Sequence, residues 1–192
     1  MGGPLPRKKG AAGARLKVYF VDASHLLHNA VPTAGWIKRG RRVELKTNSG
    51  RDRLNILGAY SPDDATLEYE EGVGPCDAAM LCRLLERVRE ANPGKQLVVV
   101  LDNAKYNRAR TVKKAAKRLR VELLYLPTYS PNLNLIERFW KFLKKKVARN
   151  KYHATFTEFR AAAQAVLSNL GAYADELSTL MTEEFHIFGE SR

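Results

Sequence analysis

The chain has 192 residues, of which 45% are hydrophobic and 28% charged, a globular composition and a length that suits one domain. Its longest apolar stretch, residues 97–101, is far shorter than the roughly 20 residues of a membrane-spanning helix, and no signal-peptide core follows the basic N-terminus. Cys76 and Cys82 are too few for a disulfide framework or a multi-cysteine zinc site and are predicted to be inert thiols. We therefore expect a cytoplasmic protein.

The positive charge is unevenly distributed along the chain. The net charge is +13, yet from His153 onward there are six acidic residues and two basic ones. Residues 105–120 contain eight Lys or Arg and no acid, residues 138–151 contain seven and no acid, and residues 38–42 add a third basic group. One such run is usually a solvated helix face, but three together favour a polyanionic partner such as nucleic acid.

Composition and periodicity divide the chain into three segments. Residues 1–16 are rich in Gly, Pro and basic residues and predict a flexible basic arm. Residues 17–170 carry strand and helix patterns and predict one folded domain. Residues 171–192 form an acidic tail that is expected to be partly helical.

The first half of the predicted domain is rich in strands. A β-branched and aromatic run over residues 16–22 predicts a buried strand that ends in Asp22. Residues 53–60 and 66–71 flank the turn sequence SPDD at residues 61–64, which predicts a β-hairpin. The hairpin makes the expected sheet a mixed one.

A helix and a second buried strand follow the hairpin. Asp77 is placed to cap the helix, and residues 98–102 repeat the form of the first strand and end in Asp102. A basic helix then leads to a strand over residues 121–126, a βαβ unit whose two strands should be parallel. The predicted inward residues are Met80, Leu81, Leu84, Leu85 and Val88 in the first helix, and Val112, Ala115, Ala116 and Leu119 in the second.

The last part of the domain begins with a loop over residues 126–131 that two prolines stiffen. Asn134 then starts a helix, and a final helical region over residues 156–170 closes the core. Tyr129 in the loop is the better candidate for stacking on a nucleic-acid base, because the helix aromatics have core spacing. The inward residues of the first of these helices are Ile136, Phe139, Trp140, Leu143 and Val147.

Three carboxylates are placed to converge. Asp22 and Asp102 end strands that can lie side by side, and Glu137 sits in the first turn of the helix that follows the loop. Hard cations prefer oxygen ligands, and two such ions can activate an attacking oxygen while they stabilise the leaving oxygen of a phosphodiester. Each residue also has a structural alternative: the aspartates can cap helices, and Glu137 can join Asn134 in a capping box or Lys141 in an ion pair.

Two histidines, His25 and His28, follow the first aspartate closely. No matching cysteine or third histidine accompanies them, so we predict loop histidines rather than zinc ligands.

The motifs around the three carboxylates, taken together, resemble the transposases of the mariner-like superfamily, in particular those of bacterial insertion sequences. Thirty-four residues separate Asp102 from Glu137, which is the spacing in that family, and residues 36–40 resemble its Trp-x-x-x-Gly stretch. The resemblance spans about residues 17–168. It is carried by Val-Asp22-Ala, by Leu-Asp102-Asn103-Ala104, and by LPTYSPNLNLIERFW at residues 126–140 with a lysine-rich continuation at Lys144.

The resemblance implies an α/β domain with the ribonuclease-H-like fold, a five-stranded mixed sheet flanked by helices. It implies that Asp22, Asp102 and Glu137 are catalytic and bind two Mg²⁺ or Mn²⁺ ions. The implied reaction is nicking of DNA at the ends of a mobile element, followed by attack of the freed 3′-hydroxyl on target DNA, by a homodimer that in a bacterium would be associated with the nucleoid. The candidate DNA contacts are Lys105, Arg108, Tyr129, Lys141, Lys144 and Lys145.

The sequence departs from the family pattern near all three carboxylates. Many relatives have Glu where this chain has Ala23, a His shortly after Asp-Asn where it has Lys105-Tyr106-Asn107, and Asn-Pro where it has Asn134-Leu135. These departures leave open a catalytically inactive DNA-binding remnant. Full-length relatives also carry N-terminal helix-turn-helix modules, which 16 residues cannot form. Recognition of the element's ends is therefore expected either from a separate helix-turn-helix protein or to have been lost.

An enzyme of another class shares one of these features. A phosphohydrolase with an aspartate nucleophile on a Rossmann-like sheet would use Asp22 at the end of its first strand. Such an enzyme would need a second aspartate two residues on, where this chain has Ser24. This alternative also does not explain the motif at residues 126–140.

Overall fold

A computed structural model of the chain describes residues 16–32, 39, 44–48, 51–127 and 134–181. Its strands are β1 Leu16–Leu27, β2 Arg53–Ser61, β3 Thr66–Gly72, β4 Gln96–Leu101 and β5 Val121–Tyr125. They form a single sheet in the order β3-β2-β1-β4-β5. β1 is antiparallel to β2, β2 is antiparallel to β3, and β1, β4 and β5 run parallel. The predicted mixed sheet, hairpin and parallel βαβ unit are therefore confirmed.

The first strand is longer than its sequence predicts. We expected it to end at Asp22, but β1 continues to Leu27 because β2 pairs with it from Phe20↔Tyr60 to Leu27↔Arg53. Its parallel pairing with β4 stops at Phe20↔Val100. Asp22 therefore lies inside β1, at the level where β4 has just ended. The strand also begins one residue inside the predicted arm, at Leu16.

Helices cover both faces of the sheet. The predicted basic helix after Asp102 begins instead with a short 3₁₀ turn, Lys105–Arg108, and a second 3₁₀ turn spans Leu170–Tyr173. None of the described helices is both long and apolar enough to cross a membrane. The helices are α1 Ala78–Glu90, α2 Arg110–Leu119, α3 Ile136–Ala148, α4 Phe156–Leu167 and α5 Ala174–Leu180.

The helix boundaries follow local signals in the sequence. The Asp77 side chain accepts a 2.8 Å hydrogen bond from the Met80 backbone N–H and so caps α1 as predicted. In the same way, the Thr155 hydroxyl caps α4 by accepting a hydrogen bond from the Glu158 backbone N–H. The residues predicted to face inward in α1 and α3 are all buried, and those of α2 are buried except Leu119, which is partly exposed.

The strands alternate between two cores. Along β1, Tyr19 and Val21 pack under α1 and α2, whereas Phe20 packs under α3 and α4, because successive side chains of a strand point to opposite faces. Covering both faces explains the nearly continuous apolar runs of the strands. The predicted tail contributes Leu177 and Met181 to the second of these cores. Residues 182–192 and 1–15 lie outside the described residues.

Candidate active site

Asp22 occupies the face of the sheet that α3 covers. Its cross-strand partner is Gly58, and partners in a ladder project to the same face. A Cβ atom on Gly58 would lie 2.6 Å from Cη2 of Trp140 and 3.2 Å from Cδ1 of Ile136. The missing side chain at position 58 therefore lets the Trp140 ring lie against β2 beside Asp22. Gly58 was not among the predicted site residues, although a lone glycine in a strand is a recognised signal of close approach.

Asp102 follows the last residue of β4 and is exposed. Its Oδ1 atom accepts hydrogen bonds from the Ala104 backbone N–H at 3.0 Å and from Asn107 Nδ2 at 2.5 Å. The next residue, Asn103, donates from its side-chain amide to the Leu126 carbonyl at 2.5 Å. These bonds attach the end of β4 to the end of β5, next to the loop that leads to Glu137.

Glu137 is partly buried in the first turn of α3, as predicted. Neither structural alternative for it forms. Asn134 uses its side-chain amide to donate to the Val21 carbonyl at 3.2 Å, and only its backbone carbonyl accepts from the Glu137 N–H. Within the described part of the chain Glu137 makes no ion pair with Lys141 within 4 Å. Its pKa is raised by burial, against a lowering influence of Lys141.

The pKa of Asp22 is influenced by the other two carboxylates. Burial is the largest cause that raises the pKa of Asp22 from 3.8 to about 6, and the negative charges of Asp102 and Glu137 raise it further. The Ala23 backbone N–H and Trp140 lower it. The buried indole N–H of Trp140 makes no hydrogen bond of ordinary geometry among the described residues, so it acts on Asp22 as a nearby donor rather than through a formed bond. Asp102 and Glu137 are thus both near enough to Asp22 to raise its pKa.

This donor set fits a divalent cation by its chemistry. Three carboxylates offer only oxygen ligands, which Mg²⁺ and Mn²⁺ prefer, and a cation would offset the mutual repulsion that raises the Asp22 pKa. The side chains are not drawn together into a finished site: across the described residues, no group of three or more His, Cys, Asp or Glu is arranged to hold a metal ion.

Tyr106 and Cys76 also border this region. The pKa of Tyr106 is raised by burial and then by Asp102, Cys76 and Asp22, while that of Cys76 is raised by burial, Asp22 and Asp77. A raised pKa disfavours the reactive thiolate, which agrees with the prediction of an inert thiol. Tyr106 was not among the predicted site residues, although it lies in residues 105–107, where the sequence departs from the family motif.

The predicted DNA contacts differ in exposure and in whether their side chains already bind other groups of the protein. Lys105, Lys141 and Lys144 are exposed. Lys145 pairs with Glu176 at 2.9 Å, and Arg108 donates to the Asn103 side chain and lies 5.3 Å from the centroid of the Tyr125 ring. Tyr129, together with residues 36–38 and 40–42, lies outside the described residues.

His25 is not a loop residue, which corrects the prediction for it, whereas His28 lies in the bend that follows β1, as predicted. His25 lies in β1, where its Nδ1 is 2.5 Å from Oδ1 of Asn55. His28 is buried just after β1, packs against Phe156 and Phe159, and has its Nε2 2.9 Å from the His153 carbonyl. The extension of β1 accounts for both positions.

The fold is that of a known class of proteins. The family model described as DDE superfamily endonuclease matches residues 17–160, and the chain belongs to this family. The predicted family resemblance and the ribonuclease-H-like fold class are thereby confirmed.

Among individual proteins, the chain is 24% identical over 135 residues to an insertion element IS630 uncharacterized 39 kDa protein of Shigella sonnei, covering 69% of this chain and 39% of that protein. The structure resembles the Mos1 mariner paired-end complex with Mn at a TM-score of 0.61 and 14% identity, covering 93% of this chain and 56% of that one.

It also resembles the Mos1 strand transfer complex, with a TM-score of 0.56, 16% identity and coverage of 89% and 49%. A simian T-cell lymphotropic virus intasome matches with a TM-score of 0.55 and 12% identity, covering 85% and 52%. The chain thus spans well under two thirds of each relative.

Proposed function

We propose that this chain is the catalytic domain of a transposase that cleaves DNA strands and transfers them by metal-dependent chemistry. The observation that carries the proposal is the position of three carboxylates. Asp22 lies in β1 at the level where β4 ends, Asp102 follows β4, and Glu137 lies in the first turn of α3, whose Trp140 packs at Gly58 opposite Asp22. All three carboxylates lie within the matched DDE endonuclease region. The insertion-element and mariner relatives support transposition as the biological role.

Asp22, Asp102 and Glu137 would hold two Mg²⁺ or Mn²⁺ ions. When bound, such ions activate the attacking oxygen and stabilise the leaving oxygen of the phosphodiester. Asp22 must be ionised to serve as a ligand, and its pKa of about 6 means that a proton competes with metal at mildly acidic pH. Trp140 and Ile136 pack against β2 at Gly58 and hold the first turn of α3, with Glu137, beside Asp22.

DNA is the proposed substrate, first as the transposon end and then as target. Lys141 lies one turn and Lys144 about two turns beyond Glu137 on α3, so both are placed to bind phosphates that flank the scissile bond. Lys105, Arg108, Tyr129 and Lys145 remain proposed contacts. We further propose that helix-turn-helix modules supply end recognition and that the active form is a homodimer.

A catalytically inactive DNA-binding remnant is the second candidate, because Ala23 and residues 105–107 depart from the family pattern. A phosphohydrolase with Asp22 as nucleophile is disfavoured, because the position two residues on is Ser24, which is buried and without a hydrogen-bond partner among the described residues.

The test is nicking of a labelled supercoiled plasmid by the purified protein with Mg²⁺, Mn²⁺ or EDTA. We expect metal-dependent nicking that is lost in Glu137→Ala and retained in Glu90→Ala, a matched change at an exposed glutamate at the end of α1. Salt-sensitive DNA binding should survive in both variants, because phosphate contacts come from Lys and Arg. Nicking that persists in Glu137→Ala would refute the assignment of this carboxylate. Retained DNA binding with no nicking by the parent, even with an added helix-turn-helix partner, would favour the inactive remnant.

A further inference from the structure

Asn107 is a buried polar residue beside the candidate active site. It lies in the 3₁₀ turn Lys105–Arg108, and only 3% of its surface is exposed. Its Nδ2 atom is 2.5 Å from Oδ1 of Asp102 and 3.5 Å from the Asp102 backbone carbonyl. An ionised carboxylate can only accept hydrogen bonds, so the amide must present its NH₂ group to Asp102.

These contacts distinguish the two oxygens of Asp102. Oδ1 accepts from both the Ala104 N–H and Asn107, whereas no described residue donates to Oδ2. An exposed carboxylate is otherwise free to rotate about its side-chain bonds. Two donors on one oxygen fix the plane of the carboxylate and leave the other oxygen available to a cation.

Asn107 is itself held in place by its neighbours. Its backbone N–H donates to the Ala104 carbonyl at 3.1 Å, and its backbone carbonyl accepts from the Tyr125 hydroxyl at 3.0 Å. The following residue, Arg108, lies over the Tyr125 ring and bonds to Asn103. The Oδ1 atom of Asn107 is buried without a partner among the described residues. The side-chain amide of Asn107 is thus buried with its oxygen unpartnered and its NH₂ group bonded to Asp102. Burying an unpartnered oxygen costs folding free energy, which is unexpected for a purely structural residue.

We propose that Asn107 is a positioning residue that orients Asp102 for binding of a divalent cation. This inference rests on the proposed metal-dependent function. Partners that hydrogen-bond to a metal ligand commonly contribute about 10-fold or more to metal affinity. The role of Asn107 is exerted through Asp102, and Asn107 itself does not contact the metal or the DNA.

The test is direct binding of Mn²⁺, measured by electron paramagnetic resonance of the free ion, with purified protein and no DNA. Asn107→Ala should weaken Mn²⁺ binding by about 10-fold or more. Asn107→Leu, which keeps the branching and the number of side-chain heavy atoms but removes the donor, should do the same. Asn107→His should restore much of the affinity, because the Nδ1–H of an imidazole is as far along the side chain as the Nδ2 of asparagine.

Two controls separate this role from simple destabilisation. Asn92→Ala removes another buried asparagine, which bonds to Tyr19 and the Val88 carbonyl near the opposite end of β4. It should lower the melting temperature of the metal-free protein without weakening Mn²⁺ binding. Asp102→Ala should abolish the binding of at least one ion.

The outcomes distinguish a failure of the proposed role of Asn107 from a failure of the proposed metal site. If Asp102→Ala weakens Mn²⁺ binding but Asn107→Ala and Asn107→Leu bind like the parent, the positioning role is wrong and the metal site stands. If the parent and Asp102→Ala bind Mn²⁺ alike, the proposed metal site fails and the role of Asn107 fails with it. If Asn107→Ala does not fold, Asn107→Leu and Asn107→His decide the question.

Discussion

Replacing Asp22 by asparagine should stabilise the metal-free protein at neutral pH. The carboxylate is partly buried among negative charges, which raises its pKa from 3.8 to about 6. Between these two pH values the folded protein holds the proton and the unfolded chain does not, so raising the pH through this window destabilises the fold. The loss is complete above about pH 6.

The size of this effect follows from the two pKa values. Each pKa unit corresponds to about 1.36 kcal/mol, so the charged form of Asp22 costs the folded state at most about 3 kcal/mol at pH 7.5. Asparagine is neutral at every pH and avoids this cost. For a protein of this size, about 3 kcal/mol corresponds to a rise in melting temperature of roughly 6–12 °C.

The assay is thermal and urea unfolding in EDTA at several pH values between 4 and 8, for the parent, Asp22→Asn and Asp63→Asn. Asp63 is an exposed aspartate in the turn between β2 and β3, so its replacement should leave stability nearly unchanged. The gain from Asp22→Asn should be largest above pH 6 and nearly absent at pH 4. A variant no more stable than the parent at pH 7.5, or a gain that does not vary with pH, would refute the electrostatic argument.

Three further outcomes are expected. Gly58→Ala should lower the free energy of unfolding by about 1–3 kcal/mol and reduce nicking, because the added methyl meets the buried Trp140 ring; unchanged stability and activity would contradict the packing argument. Arg89→Ala should cost about 2–3 kcal/mol in urea unfolding, because its guanidinium donates to four backbone carbonyls around the ends of α1 and α2, and Arg89→Lys should recover little of it. Replacing Lys141 and Lys144 together by alanine should reduce the salt dependence of DNA binding by a slope of about 2. Lys145→Ala, which removes a lysine already paired with Glu176, should change it less.

Much of the fold could be predicted from local patterns. We could predict the inward residues of α1 and α3, the Asp77 cap and the β2–β3 hairpin. Burial follows a period of two residues in strands and 3.6 in helices, and caps and turns are signalled within one turn of the chain. The three carboxylates were found in the same way, since a strand-terminal aspartate and a glutamate in the first turn of a helix are local features.

The end of β1 could not be predicted in this way. Residues 23–27 form a strand because β2, some 30 residues further along the chain, provides the backbone partners for them. The same long-range pairing places His25 in the strand rather than in a loop. A pattern confined to a short window contains no information on such a partner.

The sequence by itself determined the order of strands and helices, the residues that face the core and the three carboxylates with their family. Only the tertiary structure decided which groups surround those carboxylates. Asn134 could have capped α3 but donates to Val21, and Asn107 was one polar residue in a basic run until it was seen to bond to Asp102. The physical reason is that hydrogen bonds and the pKa of Asp22 depend on distances in space, which are set when β1, the end of β4 and α3 pack together.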